Sequence, residues 1–119
     1  MNTRATVERY YEALRNKGEW ESLFAEDVVF TSLTSPNRQI KGDRAAFVQG
    51  TRRFYSMIVS FELLDLLVEG DQACGLARYE LQPPNGGPRF ASDVAEIFAV
   101  KSGKITSFSI YFDTAPYPK

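Results

Sequence analysis

The sequence predicts a single α+β domain in which helices come first and an antiparallel sheet comes last. Apolar residues recur at helical spacing in the first part of the chain. From Ile58 onward the period changes to two, and the alternating segments are separated by turn-forming dipeptides and one Pro/Gly-rich loop. At 119 residues there is room for one core, so residues 1–119 are read as one domain without linker or repeat.

The first helix runs from about Thr3 to Lys17, with Val7, Tyr10, Tyr11 and Leu14 forming one apolar stripe. Thr3 is placed to cap its start and Gly18 to end it. Trp20, Leu23 and Phe24 repeat the spacing in a short second helix. Val28 to Leu33 reads as a strand, followed by a loop around Ser35, Pro36 and Asn37. Asp43 caps a third helix reaching about Tyr55, with Phe47, Gly50 and Phe54 on one face, and Gly50 there suggests close backbone packing. The strands 58–68, 72–82, 89–100 and 104–113 follow, joined by Gly70-Asp71, the loop 83–88 and Ser102-Gly103. These are hairpin connections, so consecutive strands pair antiparallel. Helices followed by a meander place the helices on one face of the sheet.

Composition excludes several functions. Fourteen basic against fifteen acidic residues leave a net charge of −1, which draws the chain neither to nucleic acid nor to an anionic membrane. No stretch approaches membrane-spanning length. The lone Cys74 cannot form an internal disulfide, and its small, apolar neighbours suit an inert thiol. With no apolar leader at the amino terminus, the expectation is a cytoplasmic protein. Histidine is absent, which removes Ser-His-Asp, Cys-His and His-based zinc chemistry together. No metal or other cofactor is expected, and acid–base work would fall to carboxylates, tyrosines or lysines.

Both faces of the strands carry apolar residues. Val94, Phe98 and Val100 point one way, while Ala91, Ala95, Ile97 and Ala99 point the other. A sheet covered by helices on one side should be polar on the other, so the second apolar face suggests a second copy of the chain. Glu96 alternates with Val94 and Phe98 and therefore faces the helices with them. Burial there would raise its pKa and make it a proton donor, unless Arg78 or another cation pairs with it.

Four segments stand in a telling order: VERYYEAL in the first helix, FAEDVVF at the start of the sheet, KGDRAA opening the third helix and GKITSFSIYFD in the last strand. In these residues and their order the chain resembles the ketosteroid-isomerase-like superfamily, also called nuclear-transport-factor-two-like or SnoaL-like. The resemblance implies a cone-shaped α+β barrel, with a strongly curved antiparallel sheet around a long helix, a pocket in the cone and a homodimer formed across the sheet. The superfamily hosts isomerases, cyclases, dehydratases, epoxide hydrolases and proteins that only bind, so fold does not select among them. In the isomerases two oxyanion donors and one general base carry the chemistry. The match implies that Tyr10, in the pair Arg9-Tyr10, and Glu96 stand at the two donor positions. Ser32 stands at the position of the base, where an unassisted hydroxyl cannot accept a proton at neutral pH. Cyclases of the family commonly use a histidine, which this chain lacks.

Each candidate also has a structural reading: Tyr10 as a core tyrosine, Ser32 as a satisfied hydroxyl, Glu96 as half of an ion pair. The expected walls of the pocket are Trp20, Phe24, Ser32, Phe54, Val94, Phe98, Phe108, Ile110 and Phe112. Asp93 and Asp113 fall on the opposite strand faces, toward a subunit interface or solvent. The leading expectation is a homodimeric protein that binds a small apolar organic molecule. Two alternatives stand beside it: an isomerase or lyase using Tyr10 and Glu96 as oxyanion donors with an unidentified base, and a dimeric protein-interaction module.

Overall fold

The computed structural model describes residues 2–32, 39–40, 43–113 and 115–116. Its elements follow the expected order: α1 (Thr3–Arg15), a 3-10 turn (Trp20–Leu23), β1 (Phe24–Ser32), β2 (Gln39–Ile40), α2 (Arg44–Met57), β3 (Ile58–Glu69), β4 (Gln72–Leu81), β5 (Phe90–Lys101) and β6 (Lys104–Phe112). Leu33 and the expected loop at Ser35, Pro36 and Asn37 lie outside the described residues.

The ends of α1 differ from the expectation in an instructive way. Asn2, not Thr3, is the cap, and its Oδ1 accepts from the Ala5 amide at 2.7 Å. At the other end the Lys17 amide donates to the Leu14 carbonyl at 3.2 Å and the Gly18 amide to the Ala13 carbonyl at 2.7 Å. That pair of bonds puts the left-handed residue at Lys17 (φ 55°), one position before the glycine. A side chain in this conformation costs about 1 kcal/mol. Lys17→Gly is therefore expected to stabilise the protein by about 1 kcal/mol in urea unfolding, with an unchanged denaturant slope.

α2 starts as expected, with the Asp43 carboxylate accepting from the Ala46 amide at 3.1 Å. Gly50 is exposed, where the expectation was close backbone packing. Phe24 opens β1 instead of closing the second helix.

Among the described residues the sheet has six strands in the order β2-β1-β6-β5-β4-β3. β3 to β6 form the expected antiparallel meander. β1 pairs antiparallel with β2 but parallel with β6, so the sheet is mixed. The meander turns are tight: Glu69 faces Gln72 across Gly70-Asp71, and Lys101 faces Lys104 across Ser102-Gly103. Ser102 and Gly103 both have positive φ (52° and 75°), the geometry of a two-residue turn that follows the right-handed strand twist.

Register shifts curve the sheet. One residue is extra on β3 at Val59 and another at Leu64. The second shift reverses the strand's phase, so that Phe61 and Leu63 face inward before it and Leu66 and Val68 after it. α1 lies across β3 to β6 in the concave face and α2 packs against β1. The core is dense in rings: Tyr10 alone lies edge-on to Tyr11, Trp20, Phe24 and Phe98, with centroids 5.1 to 6.1 Å away.

Candidate functional site: a buried carboxyl in an aromatic cone

The inward face of β5 reads Ser92, Val94, Glu96, Phe98, Val100, and all five are buried. Alternation along the strand thus carries a carboxyl into the core, where Glu96 is only 2% exposed. Two phenols meet it. Tyr11, from α1, donates to Oε1 at 2.6 Å. Tyr79, from β4, lies 3.0 Å from Oε1 and donates to Oε2 at 2.8 Å.

Room for Tyr11 comes from the neighbouring strand. Gly75 is the register partner of Glu96, and a Cβ there would sit 2.9 Å from Cζ of Tyr11 and collide with its hydroxyl. The missing side chain is the slot through which the α1 phenol reaches β5.

Burial pushes the Glu96 carboxyl up from 4.5 to about 7, against the hydrogen bonds from Tyr11 and Tyr79, which favour the ionised form. Tyr11 and Tyr79 are held well above the ordinary tyrosine range, first by burial and then by the charge of Glu96, so both remain donors through neutral pH. The expected alternative, an ion pair with Arg78, does not form. Arg78 binds Asp93 at 2.7 Å on the outer face of the sheet.

Tyr10 points elsewhere. Its hydroxyl lies 2.6 Å from that of Tyr55 on α2, and the Tyr55 ring stacks on Trp20 at 4.1 Å. Adjacent residues on a helix are turned by about 100°. Tyr11 therefore faces β4 and β5 while Tyr10 faces Phe24, Phe108 and α2. The expected direct meeting of Tyr10 with Glu96 is thus replaced by two hydrogen-bonded sets, Tyr10 with Tyr55 and Glu96 with Tyr11 and Tyr79.

Glu96 forms part of the wall of a cavity of about 40 Å³, together with Phe30, Thr51, Phe54, Tyr55, Val94, Phe108, Ile110 and Phe112. Five of the expected wall residues are there: Phe54, Val94, Phe108, Ile110 and Phe112. Four are not. Phe24 and Phe98 are completely buried in the ring cluster and Ser32 is buried on β1. Trp20 instead lines a larger, open groove of about 580 Å³, with Arg15, Lys17 and Phe61. Tyr55 borders both spaces.

Sequence reading missed Tyr11, Tyr55, Tyr79, Thr51, Phe30 and Gly75. The available signal was an inward-facing carboxyl with no inward cation, which requires hydroxyl donors on the neighbouring elements. Among the described residues no three His, Cys, Asp or Glu side chains gather as a metal site.

The model of the SnoaL-like domain matches residues 7–108. The chain belongs to the SnoaL-like family. Solved structures agree on the fold of this SnoaL-like protein. A nuclear-transport-factor-two-like protein from Burkholderia thailandensis is 22% identical with a TM-score of 0.81, covering 96% of this chain and 92% of its own. A protein from Kribbella flavida is 23% identical with a TM-score of 0.78, covering 95% and 88%. A protein with a ketosteroid-isomerase-like fold from Catenulispora acidiphila, solved in complex with trimethylamine, is 21% identical with a TM-score of 0.77, covering 97% and 90%. At these identities the likeness establishes the fold alone. Among curated proteins none matches the sequence. No helix among the described residues is long and apolar enough to cross a membrane.

Proposed function

We propose that this SnoaL-like protein binds a small molecule in its cone, with the apolar part of the ligand against Phe108, Ile110 and Phe112 and one polar group against Glu96. The observation that carries this reading is a buried carboxyl bordering a hollow that is aromatic and aliphatic apart from Thr51. A hollow of about 40 Å³ holds roughly three waters, so the ligand is a few atoms in size unless half-buried Phe54 or Phe112 swings aside. The test is a thermal-shift screen of small organic molecules on the native protein and on Val94→Phe, which fills the hollow. Hits should stabilise the native protein and not the filled variant. Equal stabilisation of both would place the ligand elsewhere and end the reading.

A second reading is supported by the Glu96 carboxyl itself, poised near neutrality at the cavity wall. In an enzyme of the isomerase or lyase type, Glu96 would exchange a proton with the substrate and Tyr55 would contact it, with Tyr10 positioning Tyr55 from behind. Deuterium exchange into a small enolisable ketone should then follow a pH profile inflecting near the carboxyl's value and disappear in Glu96→Gln. Exchange no faster than in buffer would remove this reading.

The outer face of the sheet is proposed to hold a second copy of the chain. Leu64, Leu67, Leu76, Ile97 and Tyr111 are 37–57% exposed there, while the charges of Arg78 and Asp93 satisfy each other. Light scattering should report a dimer for the native protein and a monomer for Leu67→Glu. A native monomer at high concentration would overturn this.

A further inference from the structure

We infer that the cone selects a small protonated amine, an alkylammonium headgroup held between the Glu96 carboxylate and the surrounding rings. This rests on the cone being a binding site, as proposed above, and adds the charge of the ligand.

The first argument is the supply of donors and acceptors at the wall. The Tyr55 hydroxyl is engaged with Tyr10 and the Thr51 hydroxyl donates to the Phe47 carbonyl at 2.8 Å. Tyr11 and Tyr79 give their single protons to Glu96. Apart from the one proton that the Tyr10–Tyr55 pair leaves over, what the wall still offers is acceptor capacity, above all at Oε2 of Glu96, which takes one phenol hydrogen bond. A ligand that completes this site brings donors.

The second argument is charge. Tyr11 of α1 and Tyr79 of β4 touch Glu96, Tyr55 of α2 shares its cavity, and Tyr10 of α1 and Cys74 on the outer face of β4 are the further titratable groups that feel its charge. All of these are held above their ordinary values, so they are neutral when the carboxyl ionises. Among the described residues no lysine or arginine perturbs or pairs with Glu96. An ionised Glu96 has only phenol dipoles for company, and a cation in the hollow supplies the missing counter-charge.

The third argument is the lining. Phe30, Phe54, Tyr55, Phe108 and Phe112 surround the hollow, and aromatic faces attract an ammonium group more strongly than a neutral group of the same shape. The volume admits the headgroup or a short alkylammonium, and not a longer amine as a whole.

Ethylammonium chloride and ethanol, equal in heavy-atom count, provide the test, read by NMR shifts of the Ile110 methyls at constant ionic strength. A ligand this small binds with a Kd of about millimolar at best. Ethylammonium is expected to saturate and to tighten about tenfold from about pH 6 to about pH 8 as Glu96 ionises. Ethanol is expected to bind at least about tenfold more weakly and without pH dependence, and Glu96→Gln to lose ethylammonium binding. Ethanol binding as tightly as ethylammonium, or an ethylammonium affinity flat with pH, overturns the amine inference and leaves the cavity as a neutral-ligand site. Ile110 shifts with neither probe overturn the amine inference, and the reading of the cone as a binding site fails only if the screen against Val94→Phe also finds no cavity-dependent hit. Both wild-type comparisons hold whether or not the Glu96 variant folds.

Discussion

Glu96→Gln is expected to flatten a stability profile in which the native protein loses about 3 kcal/mol between about pH 5 and about pH 8. In the unfolded chain the carboxyl titrates at its ordinary 4.5, while burial sets it at about 7 in the folded protein. Between those values the folded state holds a proton that the unfolded state has released. Stability from this group is therefore fully present below the unfolded value and is lost as pH rises through the folded one. At about 1.4 kcal/mol per pH unit, the gap amounts to about 3 kcal/mol. For a domain of this size that is a fall in Tm of roughly 10 °C. Glutamine keeps an oxygen for Tyr11 and Tyr79 but has no charge to desolvate, so its Tm should stay level across the range. A native Tm that is level over the same pH range, or a variant that retains the slope, would refute the placement of Glu96 as the buried titrating group. The same sign distinguishes this site from a salt-bridged carboxylate, whose stability contribution runs the other way with pH.

Gly75→Ala should be the most damaging small substitution on β4, at about 2–3 kcal/mol. The added methyl would enter the space of the Tyr11 ring, 2.9 Å from Cζ and 3.1 Å from Cε2, closer than packed atoms normally approach. Tyr11 is 1% exposed and wedged edge-on to Tyr10 and Phe98, so it has little freedom to retreat. Displacing it breaks its bond to Oε1 of Glu96. The carboxyl then loses a hydrogen bond that favours its ionised form, and its pKa should climb further. Two readouts follow: a lower urea midpoint and a Glu96 titration, followed by carboxyl NMR shift, moved to higher pH. A double-mutant cycle with Tyr11→Phe isolates the contact, because removing the hydroxyl relieves the collision in part. The cost of the alanine should fall by at least about 1 kcal/mol in the phenylalanine background. Strictly additive costs would show that the glycine matters for some reason other than Tyr11.

The reach of the sequence depends on whether a feature is local. Alternation along residues 89–100 placed Glu96 inward with Val94 and Phe98, and the same parity set Phe108, Ile110 and Phe112 on one wall. Turn chemistry at Gly70-Asp71 and Ser102-Gly103 predicted the meander. Periodicity of the first helix marked Tyr10 and Tyr11 alike as buried, and both are.

The sequence by itself therefore determined the order of elements, the hairpin pairing and the face on which the carboxyl lies, because helix and strand periods are properties of neighbouring residues. It did not determine that Tyr11 and not Tyr10 meets Glu96, that Tyr79 completes the pair, or that β1 runs parallel to β6. Those outcomes depend on how α1 crosses the sheet, on the two extra residues in β3 that bend it, and on the register that sets Gly75 opposite Glu96. Each joins residues far apart in the chain, and only the packed structure brings them within a hydrogen bond of one another.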